Sequence, residues 1–119
     1  MKKIIIAIFT LLVCIMSPAV FAVDTDNDGV DDVADNCTLV NNPVQRDTDG
    51  DGYGNFCDPV FNQDYMTNGS DLFYMKSMFF TSDPDADLNG DGTVSFGDYF
   101  ILEYRFFTPP GPSCCGTLE

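Results

Sequence analysis

The chain contains no histidine, only five lysines and arginines, and only two glutamates, Glu103 and Glu119. Without histidine it lacks the commonest general base and a principal nitrogen ligand for zinc. Zinc is disfavoured further because no Cys-x-x-Cys spacing occurs. With so few cations, no surface can grip a phosphate backbone or an anionic membrane, so nucleic acid is excluded as a partner class. There is also no helix-borne glutamate pair and no glycine-rich phosphate loop. A catalytic site needs a positioned nucleophile, base or open metal position, and none is visible, so an enzyme is not expected. Finally, no apolar run reaches the ~20 residues of a membrane-spanning helix.

The apolar run that does occur, Ile4 to Met16, is interrupted only by Thr10 and follows Lys2 and Lys3. Ser17-Pro18 comes next, and Val20-Phe21-Ala22 places small residues at −3 and −1 of a cleavage site. This is the pattern of a secretory signal peptide over residues 1–22. Val13, ahead of Cys14, argues against a lipoprotein. The expected location is secreted, extracellular or cell-surface, with the periplasm as the other fitting compartment, and no membrane span is expected after cleavage. Only Arg46, Lys76 and Arg105 then oppose all nineteen acids, a formal charge of −16. Four cysteines remain, Cys37, Cys57, Cys114 and Cys115, an even number that in an exported chain is expected to form disulfides. For Cys114-Cys115 a bridge between neighbours, a link to another chain and free thiols are all open.

What the chain has in excess is aspartate: seventeen of its nineteen acids. A merely solvated acidic surface would mix in glutamate, whereas short carboxylates dominate where they must reach back into a tight metal loop. A twelve-residue calcium loop presents oxygens from positions 1, 3, 5, 7 (a carbonyl) and 12, with glycine at 6. Asp24–Asp35 fills this pattern with Asp24, Asp26, Asp28, the Val30 carbonyl and Asp35. Asp47–Asp58 fills it with Asp47, Asp49, Asp51, the Tyr53 carbonyl and Asp58. Asp87–Asp98 fills it with Asp87, Asn89, Asp91, the Thr93 carbonyl and Asp98. A worn copy, Val60–Asp71, keeps Asn62, Asp64, the Met66 carbonyl and Asp71, but has Val60 at position 1 and Tyr65 in place of the glycine. Carboxylates this dense repel one another unless a divalent cation lies among them. All-oxygen ligands in a roomy loop point to Ca²⁺, since zinc and copper favour softer ligands and magnesium a tighter octahedron.

Residues 24–58 hold few large apolar side chains and cannot build a core of their own. Residues 60–107 carry most of the aromatic mass. There, Leu72, Met75 and Phe79 are matched position for position by Tyr99, Leu102 and Phe106, the spacing of two helices sharing a core. Asp71 and Asp98 are the expected N-caps, with Pro84 and Pro109-Pro110 as breaks. Residues 108–119 read as an extended, mobile tail rich in proline and glycine.

Two family resemblances are carried by these residues. Residues 24–58 resemble thrombospondin type 3 repeats, through Asp24-Thr25-Asp26-Asn27-Asp28-Gly29, Asp35-Asn36-Cys37, Asn42-Pro43-Val44-Gln45 and Asp47 through Cys57-Asp58. The resemblance implies calcium ions lining an irregular chain, and a Cys37–Cys57 disulfide. The sequence departs from that family at Thr38, where proline is usual, and at Asn55, where aspartate is usual. Residues 58–107 resemble a dockerin-like module, two duplicated calcium loops each followed by a helix. Asp87-Leu88-Asn89-Gly90-Asp91-Gly92-Thr93-Val94 through Asp98 and Leu102 is the close copy. Cohesin-binding dockerins use hydroxyl residues late in each loop; of Gly69-Ser70 and Phe96-Gly97, only Ser70 has one. The implied fold is a small metal- and disulfide-stabilised protein, in which an irregular calcium-wound repeat (23–58) precedes a mainly α, dockerin-like pair of loop–helix units (59–107) and a Pro/Gly/Cys tail (108–119).

The expected function is that of a secreted calcium-binding structural or interaction module that needs calcium to fold, with an extracellular or cell-surface protein as partner. One alternative is a dockerin proper, docking a cohesin-like partner in a polysaccharide-degrading assembly. Another is an extracellular calcium buffer, which millimolar extracellular calcium and sites of ~10⁻⁴–10⁻³ M argue against.

Overall fold

The computed structural model describes residues 22–116; nearly all of the expected signal peptide lies outside them. Two helices, α1 (Gly69–Met78) and α2 (Phe96–Tyr104), are the regular elements among the described residues, which include no strand. No helix among them is long and apolar enough to cross a membrane. Helices of ten and nine residues are too short to be stable alone in water, so tertiary packing must hold them.

That packing follows the expected stripes. Met75 and Leu102 are fully buried with Ala86, Leu88 and Val94, and Leu72, Phe79, Tyr99 and Phe106 pack around them. Fully burying a Met, Leu or Val side chain contributes ~1.5–3 kcal/mol. The Asp-rich segment has no comparable core: Val33 and Val44 are exposed, and its buried apolar residues are Cys37, Tyr53 and Cys57.

The helix starts differ from expectation. The N-caps are Asn68 and Ser95, not Asp71 and Asp98. Asp71 and Asp98 sit at N3 and accept hydrogen bonds from the amides of Asn68 and Ser95, both at 2.8 Å. Each is the second half of a capping box, so the last residue of the loop lies inside the helix it precedes. The helix ends also fall before the prolines. α1 stops at Met78, and Phe80 turns the chain with φ of +64°; α2 stops at Tyr104, and Phe107 repeats the turn at +62°.

After each turn the chain pairs with the other unit. Phe80 donates to the Val94 carbonyl and Val94 to that of Thr81 (2.9 and 2.8 Å). In the same way Phe107 donates to the Thr67 carbonyl and Thr67 to that of Thr108 (2.8 and 3.0 Å). Each helix therefore hands its chain to the opposite loop, and the two loop–helix units interlock.

The tail is not free. Thr38 donates to the Pro112 carbonyl (3.0 Å), Gly111 to that of Cys57 (3.0 Å) and Cys114 to that of Asp35 (2.9 Å). Arg105 donates to the Gly111 carbonyl at 2.9 Å, and Pro110 and Gly111 are buried. Residues 110–114 thus dock on the Asp-rich segment mainly through backbone groups, with the Ser113 hydroxyl donating to the Gly52 carbonyl. Composition pointed to mobility, but most of these bonds are made by backbone groups, which composition does not register.

Candidate metal sites

The four loops share one backbone. Position 6 has positive φ in each: Gly29, Gly52, Tyr65 and Gly92, at +94°, +91°, +63° and +95°. Position 4 does too, at Asn27, Gly50, Gln63 and Gly90. Position-5 amides donate to position-3 oxygens in all four: Asp28 to Asp26 (3.2 Å), Asp51 to Asp49 (3.3 Å), Asp64 to Asn62 (3.1 Å) and Asp91 to Asn89 (2.8 Å). Position-7 amides donate to position-5 carboxylates: Val30, Tyr53, Met66 and Thr93, at 2.8, 2.9, 3.1 and 2.9 Å. In the three complete loops the glycine amide donates to the first aspartate, Asp24, Asp47 or Asp87, each at 3.0 Å. The worn loop therefore keeps the winding and has lost the first carboxylate.

This winding converges acids. Asp24, Asp26 and Asp28 each bring one carboxylate oxygen within 4.8 Å of the others, and so do Asp47, Asp49 and Asp51. The third loop has Asn89 within its set: its side-chain amide donates to Asp91 at 3.2 Å, and its backbone amide donates to Asp98 at 3.0 Å. Position 12 is buried in every loop, at Asp35, Asp58, Asp71 and Asp98.

The electrostatics differ between the first two loops and the worn one. Burial, then the charges of Asp51, Asp49 and Asp47, push the Asp58 carboxyl up to about 8. Burial and then Asp51 raise Asp49; burial, then Asp28 and Asp35, raise Asp26. These groups resist carrying full charge together. In the worn loop, Asp64 is lowered instead, by the side-chain amides of Asn62 and Asn68 that donate to it at 2.9 and 3.0 Å.

The acidic clusters of the first two loops could hold a metal ion, and three features bear on it. Their donors are all oxygens, the choice of a hard cation. Two carboxylate triads are close enough to share one ion. And Asp26 Oδ2 and Asp35 Oδ2 are buried without a hydrogen-bond partner, an expensive state for carboxylate oxygens unless a cation meets them.

The disulfide is formed: Cys37 and Cys57, both fully buried, are bridged with Cα atoms 5.7 Å apart. Cys114 and Cys115 are bridged to each other. Several supporting residues were not anticipated. Gln45 donates to Asp35 Oδ1 at 2.7 Å and accepts from the Asn36 amide at 2.8 Å, aiming the position-12 acid. Asn55 accepts from the Thr48 amide (3.0 Å) and donates to the Pro84 carbonyl (3.2 Å). Arg46 donates to the carbonyls of Pro84 (2.8 Å) and Asp87, and its guanidinium lies 3.5 Å from the Asp87 carboxylate. An arginine directly before a ligand aspartate, in a chain this short of cations, was the visible signal. Thr38 offers the tail an N–H that a proline would lack, and Asn55 offers Pro84 a side-chain N–H that an aspartate would lack.

A scan against protein-family models finds no match to the chain, and neither a search of curated proteins nor one of solved structures finds a match. The loops' own geometry is what speaks for a bound cation.

Proposed function

We infer that the chain is a secreted calcium-binding module with a structural or interaction role, in which Ca²⁺ replaces the core that residues 24–58 lack. The observation that carries this reading is the pair of aspartate triads, each within 4.8 Å, beside buried and unpartnered carboxylate oxygens of Asp26 and Asp35. The proposed ligands are Asp24, Asp26, Asp28, Val30 and Asp35; Asp47, Asp49, Asp51, Tyr53 and Asp58; and Asp87, Asn89, Asp91, Thr93 and Asp98. The carboxylates are engaged as ligands in this reading, and no catalysis is assigned to them. The thrombospondin-like and dockerin-like resemblances belong to the same proposal, and so does an extracellular or cell-surface protein as partner.

Titration calorimetry and thermal unfolding of the mature protein, with calcium and with chelator, test it. Chelation is expected to lower the melting temperature and to abolish ordered structure in residues 24–58. Asp91→Ala is expected to remove about one ion per chain, because it deletes a position-5 carboxylate, and Asp64→Ala to remove none. Equal melting in both solutions, with no heat of binding, would overturn the reading.

A further inference from the structure

We propose that Arg46 is a positioning residue that couples calcium binding at the Asp47–Asp58 loop to calcium binding at the Asp87–Asp98 loop. The proposal rests on the calcium reading above and adds communication between two of its sites.

The backbone of Arg46 belongs to the first of these loops: its carbonyl accepts from the Asn55 amide at 2.8 Å. Its side chain belongs to the second. It donates to the Pro84 and Asp87 carbonyls, and it lies 3.5 Å from Oδ2 of Asp87, the first ligand of that loop. Asp87 is itself buried and already receives the amides of Asp91 (3.1 Å) and Gly92 (3.0 Å) through its carboxylate. One residue therefore fixes both the main chain and the carboxylate of the ligand that opens the loop. Asn55, from inside the Asp47–Asp58 loop, donates to the same Pro84 carbonyl at 3.2 Å, so two struts from one loop converge on the entry to the other.

An ion among Asp47, Asp49, Asp51 and Asp58 holds residues 47–58 in one conformation. That immobilises Asn55, and through it the main chain of Arg46. The guanidinium is then held where Pro84 and Asp87 need it, and part of the ordering cost of the Asp87–Asp98 loop is met before its own ion arrives. By linkage the effect is reciprocal. A guanidinium suits the task because its planar fork sets separate nitrogens at fixed spacing, Nη2 on the Pro84 carbonyl and Nη1 on that of Asp87, where an ammonium offers its donors from a single atom.

Loop glycines give each site its own reporter, since the amides of Gly52 and Gly92 each hydrogen-bond the first ligand of their loop. Calcium titrations of the mature protein followed by amide NMR read the midpoint at each glycine. In the wild type, Asp51→Ala is expected to weaken binding at the Gly92 loop by about fivefold or more, the low end of ordinary coupling. In an Arg46→Met background the same change is expected to shift the Gly92 midpoint less than about twofold. Arg46→Lys, which keeps the charge, is expected to lose the coupling as well. The Gly29 amide, in the Asp24–Asp35 loop, checks the fold of each variant, and Arg46→Lys decides the matter if Arg46→Met disturbs it. A Gly92 midpoint indifferent to Asp51→Ala in the wild type would overturn the coupling. Coupling that survives in Arg46→Lys would overturn the role of the guanidinium fork. Amides that do not respond to calcium at all would instead overturn the calcium reading.

Discussion

Thr67 and Val94 occupy the same place in the two loop–helix units, and each exchanges a pair of backbone hydrogen bonds with the segment that leaves the other unit's helix. Both are fully buried, but Thr67 carries a hydroxyl whose Oγ1 has no hydrogen-bond partner. Leaving such a group unmade costs ~1–3 kcal/mol, while its apolar counterpart of similar shape already sits at the symmetric position. Thr67→Val is therefore expected to stabilise the protein by ~1 kcal/mol, and Val94→Thr to destabilise it by a similar amount. Urea unfolding in saturating calcium checks both; a lower midpoint for Thr67→Val would show that the hydroxyl is satisfied in solution.

The position-6 glycines are not equivalent. Gly92 has φ of +95° and open space around it, so Gly92→Ala pays only for a left-handed alanine, ~1–2 kcal/mol. Gly52 has φ of +91°, and a Cβ there would overlap the Cys115 carbonyl. Gly52→Ala is expected to be more destabilising than Gly92→Ala by ~1 kcal/mol or more, because the tail must shift too. Deleting residues 112–119 should erase that difference. If the two alanine variants unfold alike in the full chain, the tail does not pack on the loop as described.

The Cys37–Cys57 bridge closes a span of 20 residues around the connector and most of the second loop. Replacing both cysteines by serine is expected to cost ~3 kcal/mol in the chain-entropy model. It should also weaken calcium binding at the Gly52 amide by a larger factor than at the Gly92 amide, since the bridge brings Asp58 within reach of Asp47 before the ion binds. Calorimetric unfolding and the same NMR titration measure the two effects. Unchanged binding at Gly52 would leave the bridge with a purely stabilising role.

Much of this was legible in the sequence, for identifiable reasons. The loops could be read because carboxylates at alternate positions followed by glycine leave a side-chain signature. The helix stripes could be read because Met75 and Leu102 recur with their neighbours at helical spacing. The helix starts were misplaced because Asp71 and Asp98 do two jobs, closing the loop and completing the capping box, and aspartate is a common N-cap in its own right. The turns at Phe80 and Phe107 carry no signal, since phenylalanine is a poor candidate for positive φ. The docked tail was missed because its contacts to Asp35, Thr38 and Cys57 are made mainly by backbone groups. The role of Asn55 carries no local signal, since the Pro84 carbonyl its side-chain amide meets lies 29 residues further on.

The docked tail also decides how the molecule would bear load. A pull applied between Val23 and Gly116 meets the bonds from Thr38 to Pro112, from Cys114 to Asp35 and from Gly111 to Cys57 before it reaches either helix. Tension is thus carried across the Asp-rich segment, where the Cys37–Cys57 bridge supplies a covalent stop, and the helical units hang as a side loop outside the force path. Whatever surface Phe73, Phe96 and Phe100 present on those helices keeps its shape while the chain is under strain, until the tail peels away.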